Sequence, residues 1–85
     1  MKLKNEKVRN QKYYFVGYDE ENNRYLLGVV ITWVAWYNRY YLISKEEYEW
    51  FDTQIEQLDQ LAEECYQAGP GGERFVYSDS IMENQ

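Results

Sequence analysis

The stretch RYLLGVVITWVAWYNRYYLIS, residues 24–44, constrains this chain more than any other, because as a strand it is apolar on both of its faces. Extended, it sends Tyr25, Leu27, Val29, Ile31 and Trp33 one way and Leu26, Val30, Val34 and Trp36 the other. A sheet face turned to water normally alternates with polar residues. Both faces therefore ask for cover. A domain of 85 residues buries only about 60% of the surface exposed by its unfolded chain, so it has little interior for three Trp, ten Tyr and three Phe. Part of that aromatic surface is expected to meet a partner.

The same stretch does not read as a membrane span. Between Tyr25 and Tyr37 it offers 13 residues before Asn38 and Arg39, whereas a spanning helix needs about 20. Its Val, Ile, Thr, Trp and Tyr residues favour strands. No apolar core of a signal peptide follows MKLKNEKVRNQK directly. The lone Cys65 cannot form an internal disulfide. A cytoplasmic location is the expectation.

Pattern gives the architecture. KYYFVGYD (12–19), the polar turn EENN (20–23) and RYLLGVVITW (24–33) form an antiparallel hairpin spanning 12–33. A third strand at about 36–43 completes a meander, with Asn38 as a candidate bend or bulge and Gly28 as a bulge or point of close packing. Ser44 and Glu47 make a capping box that opens a helix over 45–67, with a second box at Thr53 and Glu56 as a restart point after a break at Asp52. Tyr48, Phe51, Ile55, Leu58, Ala62 and Cys65 form its apolar stripe. AGPGG ends it, with Gly69 as the left-handed residue, and a short strand follows over 73–78. The chain reads as an α+β fold with one long helix packed on one face of the sheet. Residues 1–12 are a basic arm, 13–78 the single domain and 79–85 a loose tail.

Charge is segregated. Residues 1–12 carry +4, 13–43 carry −1, 44–68 carry −7 and 69–85 carry −2, within a net charge of −6. Beyond the arm, such a body disfavours nucleic-acid phosphates and suits a basic partner. Glu49, Asp52, Glu56, Asp59 and Glu63 stack along one flank of the helix, and no Lys or Arg lies between Lys45 and Arg74 to offset them. Like charges at these spacings cost about 0.2–0.5 kcal/mol per pair. A solvated acidic face is the plain explanation, but its cost favours a flank that faces a ligand. Trp50 lies off the apolar stripe and reads as an exposed anchor or as a ring covered by the tail or a loop.

Catalytic chemistry finds little purchase. The chain has no His, so Ser–His and Cys–His arrangements are excluded and the commonest metal ligand is missing. DEENN lacks the spacing of a calcium loop, and GPGG lacks the Lys and downstream helix of a phosphate cradle. No enzyme, catalytic residue, cofactor or metal is expected.

An acidic, aromatic-rich domain with the hairpin YYFVGYDEENNRYLLGVV, the capped helix SKEEYEWF and the closing ERFVYSD resembles the small immunity proteins of polymorphic toxin systems, of Rhs or contact-dependent type. The resemblance covers about residues 13–79 and is one of style, without a shared motif that transfers functional residues. It implies a protein that occludes one cognate toxin stoichiometrically, without a membrane or direct nucleic-acid partner. The residues expected to meet that toxin's basic surface are Trp36, Tyr37, Tyr40, Glu49, Trp50, Asp52, Glu56, Asp59 and Glu63. Two alternatives come from other classes: a phage-encoded acidic inhibitor or nucleic-acid mimic of a host enzyme, and a homodimer joined through the aromatic sheet.

Overall fold

The computed structural model describes residues 2–32 and 36–84. The elements run β1 (Lys4–Arg9), β2 (Tyr14–Asp19), β3 (Arg24–Ile31), β4 (Tyr37–Ile43), α1 (Lys45–Thr53), α2 (Ile55–Ala68) and β5 (Phe75–Ser78). The strands form one antiparallel sheet in the order β1-β2-β3-β4-β5, so every strand pairs with its neighbour in sequence. Together with the helices this is the α+β architecture that the pattern predicts. Among the described residues no helix is long and apolar enough to cross a membrane.

The period-2 alternation decides which face the helices cover. Val16, Leu27 and Tyr41 are register partners across β2, β3 and β4, and all three are wholly buried. Tyr14, Val29, Ile31 and Ile43 extend this face, and α2 closes it with Leu58, Leu61, Ala62 and Cys65. The Ser44–Glu47 capping box forms as expected: the Glu47 N–H donates to Ser44 Oγ at 3.0 Å, and the Ser44 N–H donates to Glu47 Oε1 at 2.8 Å. Arg74 then grips the same Glu47 carboxylate at 2.9 and 2.8 Å, tying the approach to β5 onto the start of α1.

Four details depart from the sequence reading. The helix over 45–67 breaks at Gln54 (φ −146°, ψ 63°), two residues past the Asp52 break that a Thr53–Glu56 restart implies, and no side chain of that box caps the second half; the Thr53 hydroxyl instead donates back to the Glu49 carbonyl. The break lets α1 pack through Tyr48, Trp50 and Phe51, a wider arc than one unbroken stripe presents. The basic arm is a strand: residues 4–9 add β1 to the sheet edge through a bulge at Asn5, whose φ of 52° an Asn tolerates. Asn38 stays in register opposite Val30, and the ladder slips at Val76, which has no partner between Tyr40↔Tyr77 and Tyr41↔Phe75. Gly69 has φ 67° and ψ −160°, outside the left-handed helical basin and in a region open essentially to glycine alone.

The helix-free face is covered in part by its own rings. The Phe15 ring occupies the space where a Cβ at Gly28 would stand, which makes that glycine a point of close packing. Phe15 meets Tyr40 edge-on at 6.0 Å, and Tyr40 leans on Tyr77 at 6.1 Å. Leu3 packs over Gly17 at one end of this face. The tail, expected loose, turns through a short 3-10 helix at Ile81–Asn84. There the Asn84 side-chain amide donates to the Ser78 carbonyl (2.7 Å) and its oxygen accepts the Ser78 N–H (2.8 Å). Trp33 and Val34, expected on opposite faces, lie outside the described residues.

Leu58→Ala should cost about 2–5 kcal/mol in urea unfolding, the range for a buried leucine removed from a packed core. A loss below about 0.5 kcal/mol, as at surface sites, would contradict the packing.

Candidate interaction surface

The acidic flank of the helices is balanced from across the fold. β1 places Lys7 and Arg9 on the helix-covered face, opposite Val16 and Tyr14. Lys7 Nζ pairs with Asp52, and Arg9 donates to both Asp59 oxygens at 3.2 and 3.0 Å. Asp59 also accepts the hydroxyl hydrogen of the buried Tyr14 at 2.6 Å. The Arg9 guanidinium and the Tyr14 hydroxyl hold the Asp59 carboxyl below the usual carboxylate range, against its partial burial. Burial and the adjoining carboxylate push the Tyr14 phenol upward.

A second ionic cluster fixes the tail. Arg39, on the same sheet face as Val29, donates to both Glu83 oxygens at 2.9 and 2.6 Å. The Tyr37 and Ser78 hydroxyls donate to that carboxylate at 2.6 and 2.8 Å. These contacts, the Arg39 pair foremost, hold the Glu83 carboxyl down at about 2.

The nine residues expected at a partner interface therefore separate. Tyr40 is buried at 4% exposure, its ring packed between Phe15 and Tyr77 on the helix-free face. Tyr37 is half-buried and bonded to Glu83, and Trp50 is half-buried against the core rather than an exposed anchor. Asp52 and Asp59 are engaged by β1. Glu49, Glu56 and Glu63 remain exposed on the helices, with Glu63 accepting from Gln67 at 2.8 Å. Trp36 is 72% exposed.

Trp36 does not stand alone. Tyr13, absent from the expected set, is 57% exposed and meets the Trp36 ring edge-on at 6.4 Å. It ends a 3-10 turn over Asn10–Lys12 with φ 57°, a left-handed conformation uncommon for so bulky a residue. One sign of it is legible in the sequence, its place beside the polar stretch NQK. This ring pair stands between two depressions. One, of about 500 Å³, runs between Tyr13 and α2, with Gln60, Glu56, Glu63 and Tyr66 along it. The other, of about 760 Å³, opens on the helix-free face among Val8, Phe15, Val30, Trp36, Asn38 and Asp79.

Reactive groups are few at these places. Burial pushes the Cys65 thiol up to about 11, so at neutral pH it is a small core side chain and not a thiolate. Among the described residues no three His, Cys, Asp or Glu side chains converge as metal ligands. The arrangement offers aromatic contact area bordered by carboxylates. No protein-family model matches the chain, and neither does any curated protein or solved structure.

Two outcomes follow from the ionic clusters. Asp59→Ala leaves the buried Tyr14 hydroxyl without its acceptor and should destabilise by about 1–3 kcal/mol, whereas Glu56→Ala should stay within about 0.5 kcal/mol in the same denaturation assay. Asp19, Glu47, Asp59 and Glu83 all have carboxyl groups held below their ordinary values. Their contribution is complete above the unfolded carboxylate range and is lost as pH falls from about 4.5 toward 2. Glu83→Gln should shallow that acid limb in pH-dependent thermal melts while leaving the slope between about pH 6 and 8 unchanged.

Proposed function

We propose that this chain is a binding protein that neutralises a partner protein by stoichiometric occlusion, in the manner of the immunity proteins it resembles, and that it acts in the cytoplasm. The observation that supports this reading best is the exposed Tyr13–Trp36 pair, placed at one end of the sheet near carboxylates. Large aromatics on a fixed scaffold lose little entropy on binding and dominate interface energies. Carboxylates around them speed encounter with a basic partner and fix its orientation. The partner that fits is a toxin domain whose own target is negatively charged, such as a nucleic acid or nucleotide, since its active site then carries the complementary charge.

Co-expression with a toxin domain encoded beside this protein's gene tests the reading. Growth should recover in proportion to the amount of this protein and saturate near one equivalent. Trp36→Ala should lose about 2 kcal/mol or more of affinity, the threshold of a hot spot, in calorimetry with the purified toxin. Rescue by a small fraction of an equivalent would identify turnover and overturn occlusion.

A further inference from the structure

The acidic helix flank looks in the sequence like the docking face, but two of its carboxylates are bound internally by Lys7 and Arg9. The opposite side of the sheet offers a different surface. At the end away from Leu3, no helix among the described residues covers this face, and the depression of about 760 Å³ there is lined by Phe15, Val30, Val8 and Trp36. Val8 is 56% exposed, unusual for a strand residue with Lys7 and Arg9 as neighbours that turn to the other face. Exposed apolar area gathered in one concavity is what binding surfaces present.

The charge around this depression is negative. Asp79 lines it, and Glu6 lies farther along the same sheet face, beside Gly17 and Leu3. Arg9 borders the depression through its strand, but its guanidinium is held by Asp59 on the far face. Both Asp79 and Glu6 reinforce the upward push that burial gives the Tyr40 phenol inside this face. Two copies of the chain, each at −6, would bring these carboxylates together and leave them unpaired. A cationic partner would not.

We infer that the helix-free sheet face, at the groove between Val8, Phe15 and Trp36, receives an apolar side chain flanked by a basic residue on the partner protein, and that the helix flank lies outside the contact. The inference rests on the occlusion reading for its partner and adds where that partner sits and what it presents. The apolar side chain fills the groove against Phe15 and Val30, Trp36 closes over it, and the neighbouring guanidinium or ammonium meets Asp79.

A defined probe tests this without the partner. The blocked peptide acetyl-Leu-Arg-Leu-Arg-amide, titrated into the isotopically labelled full chain, should shift the NMR resonances of Val8, Phe15, Val30 and the Trp36 indole. Binding should weaken severalfold between about 0.05 and 0.3 M salt. Trp36→Ala should weaken it by about tenfold and Asp79→Asn by about threefold, while Glu56→Lys should leave it within about twofold. The glutamate counterpart of the peptide should bind far more weakly. Shifts centred on Glu56 and Glu63, equal binding of the acidic peptide, or no shift at millimolar peptide would each overturn the assignment. A concentration-dependent dimer in sedimentation, broken by Trp36→Ala, would assign the face to a second copy instead. Peptide binding at the groove without rescue of toxin-expressing cells would sink the inhibitor reading and leave this surface standing.

Discussion

One face of a five-stranded sheet has to be roofed by two short helices, and the ionic seam from β1 to those helices sets where the roof ends. Arg9 reaches Asp59 with two hydrogen bonds, Tyr14 adds a third, and Lys7 meets Asp52 two residues before the break at Gln54. Hydrophobic burial is non-directional and would tolerate small slides of a helix over the aliphatic rows of β2, β3 and β4. Charge-assisted, bidentate pairing is directional and discriminates among such positions. The core supplies the bulk of the favourable free energy, and the seam selects one placement of the helices from those the core would accept.

The same seam changes the meaning of the helix charges. Within the helix, a column of five carboxylates looks costly, since each like-charged pair opposes its neighbour. In the folded chain two of the five face cations from the other end of the sequence, and Glu47 in the first turn is gripped by Arg74. Exposed pairs of this kind contribute little singly. The sheltered one, where Asp59 also satisfies a buried phenol, contributes more because breaking it strands a polar group. Two of the five flank carboxylates are therefore structural, and the charge left for solvent or a partner is smaller than the sequence suggests.

What the sequence made legible was local. The hairpin, the Ser44–Glu47 box, the Leu58–Ala62–Cys65 stripe and the stop at Gly69 each follow from residues within one or two turns of each other. What it hid was long-range. KNEKVR does not resemble a strand, because an edge strand with Lys7 and Arg9 turned to carboxylates and Glu6 and Val8 turned outward has no apolar face to display. The signal was present as charge: a basic segment at one end and an acidic helix at the other are complementary, though spacing alone does not say whether they meet. Trp50 was misplaced because the break at Gln54 widens the arc that α1 presents to the sheet. Tyr13 went unnoticed because its importance lies in a backbone turn and in the Trp36 ring beside it, more than twenty positions along the chain.

The Asn84 amide, bonded to both backbone groups of Ser78, has a consequence for the life of the folded molecule among its own copies. An open antiparallel sheet is a template, and each unpaired edge invites a further strand. At β1 that invitation is spoiled by lysines and by the bulge at Asn5. At β5, where FVYS carries no charge, a side-chain amide imitates the next strand for the length of one residue, and the slip at Val76 disturbs the ladder beside it. The last turn of the chain thus acts as a counterfeit neighbour, giving an otherwise extendable sheet a fixed width and separating selective recognition on its face from indiscriminate pairing at its rim.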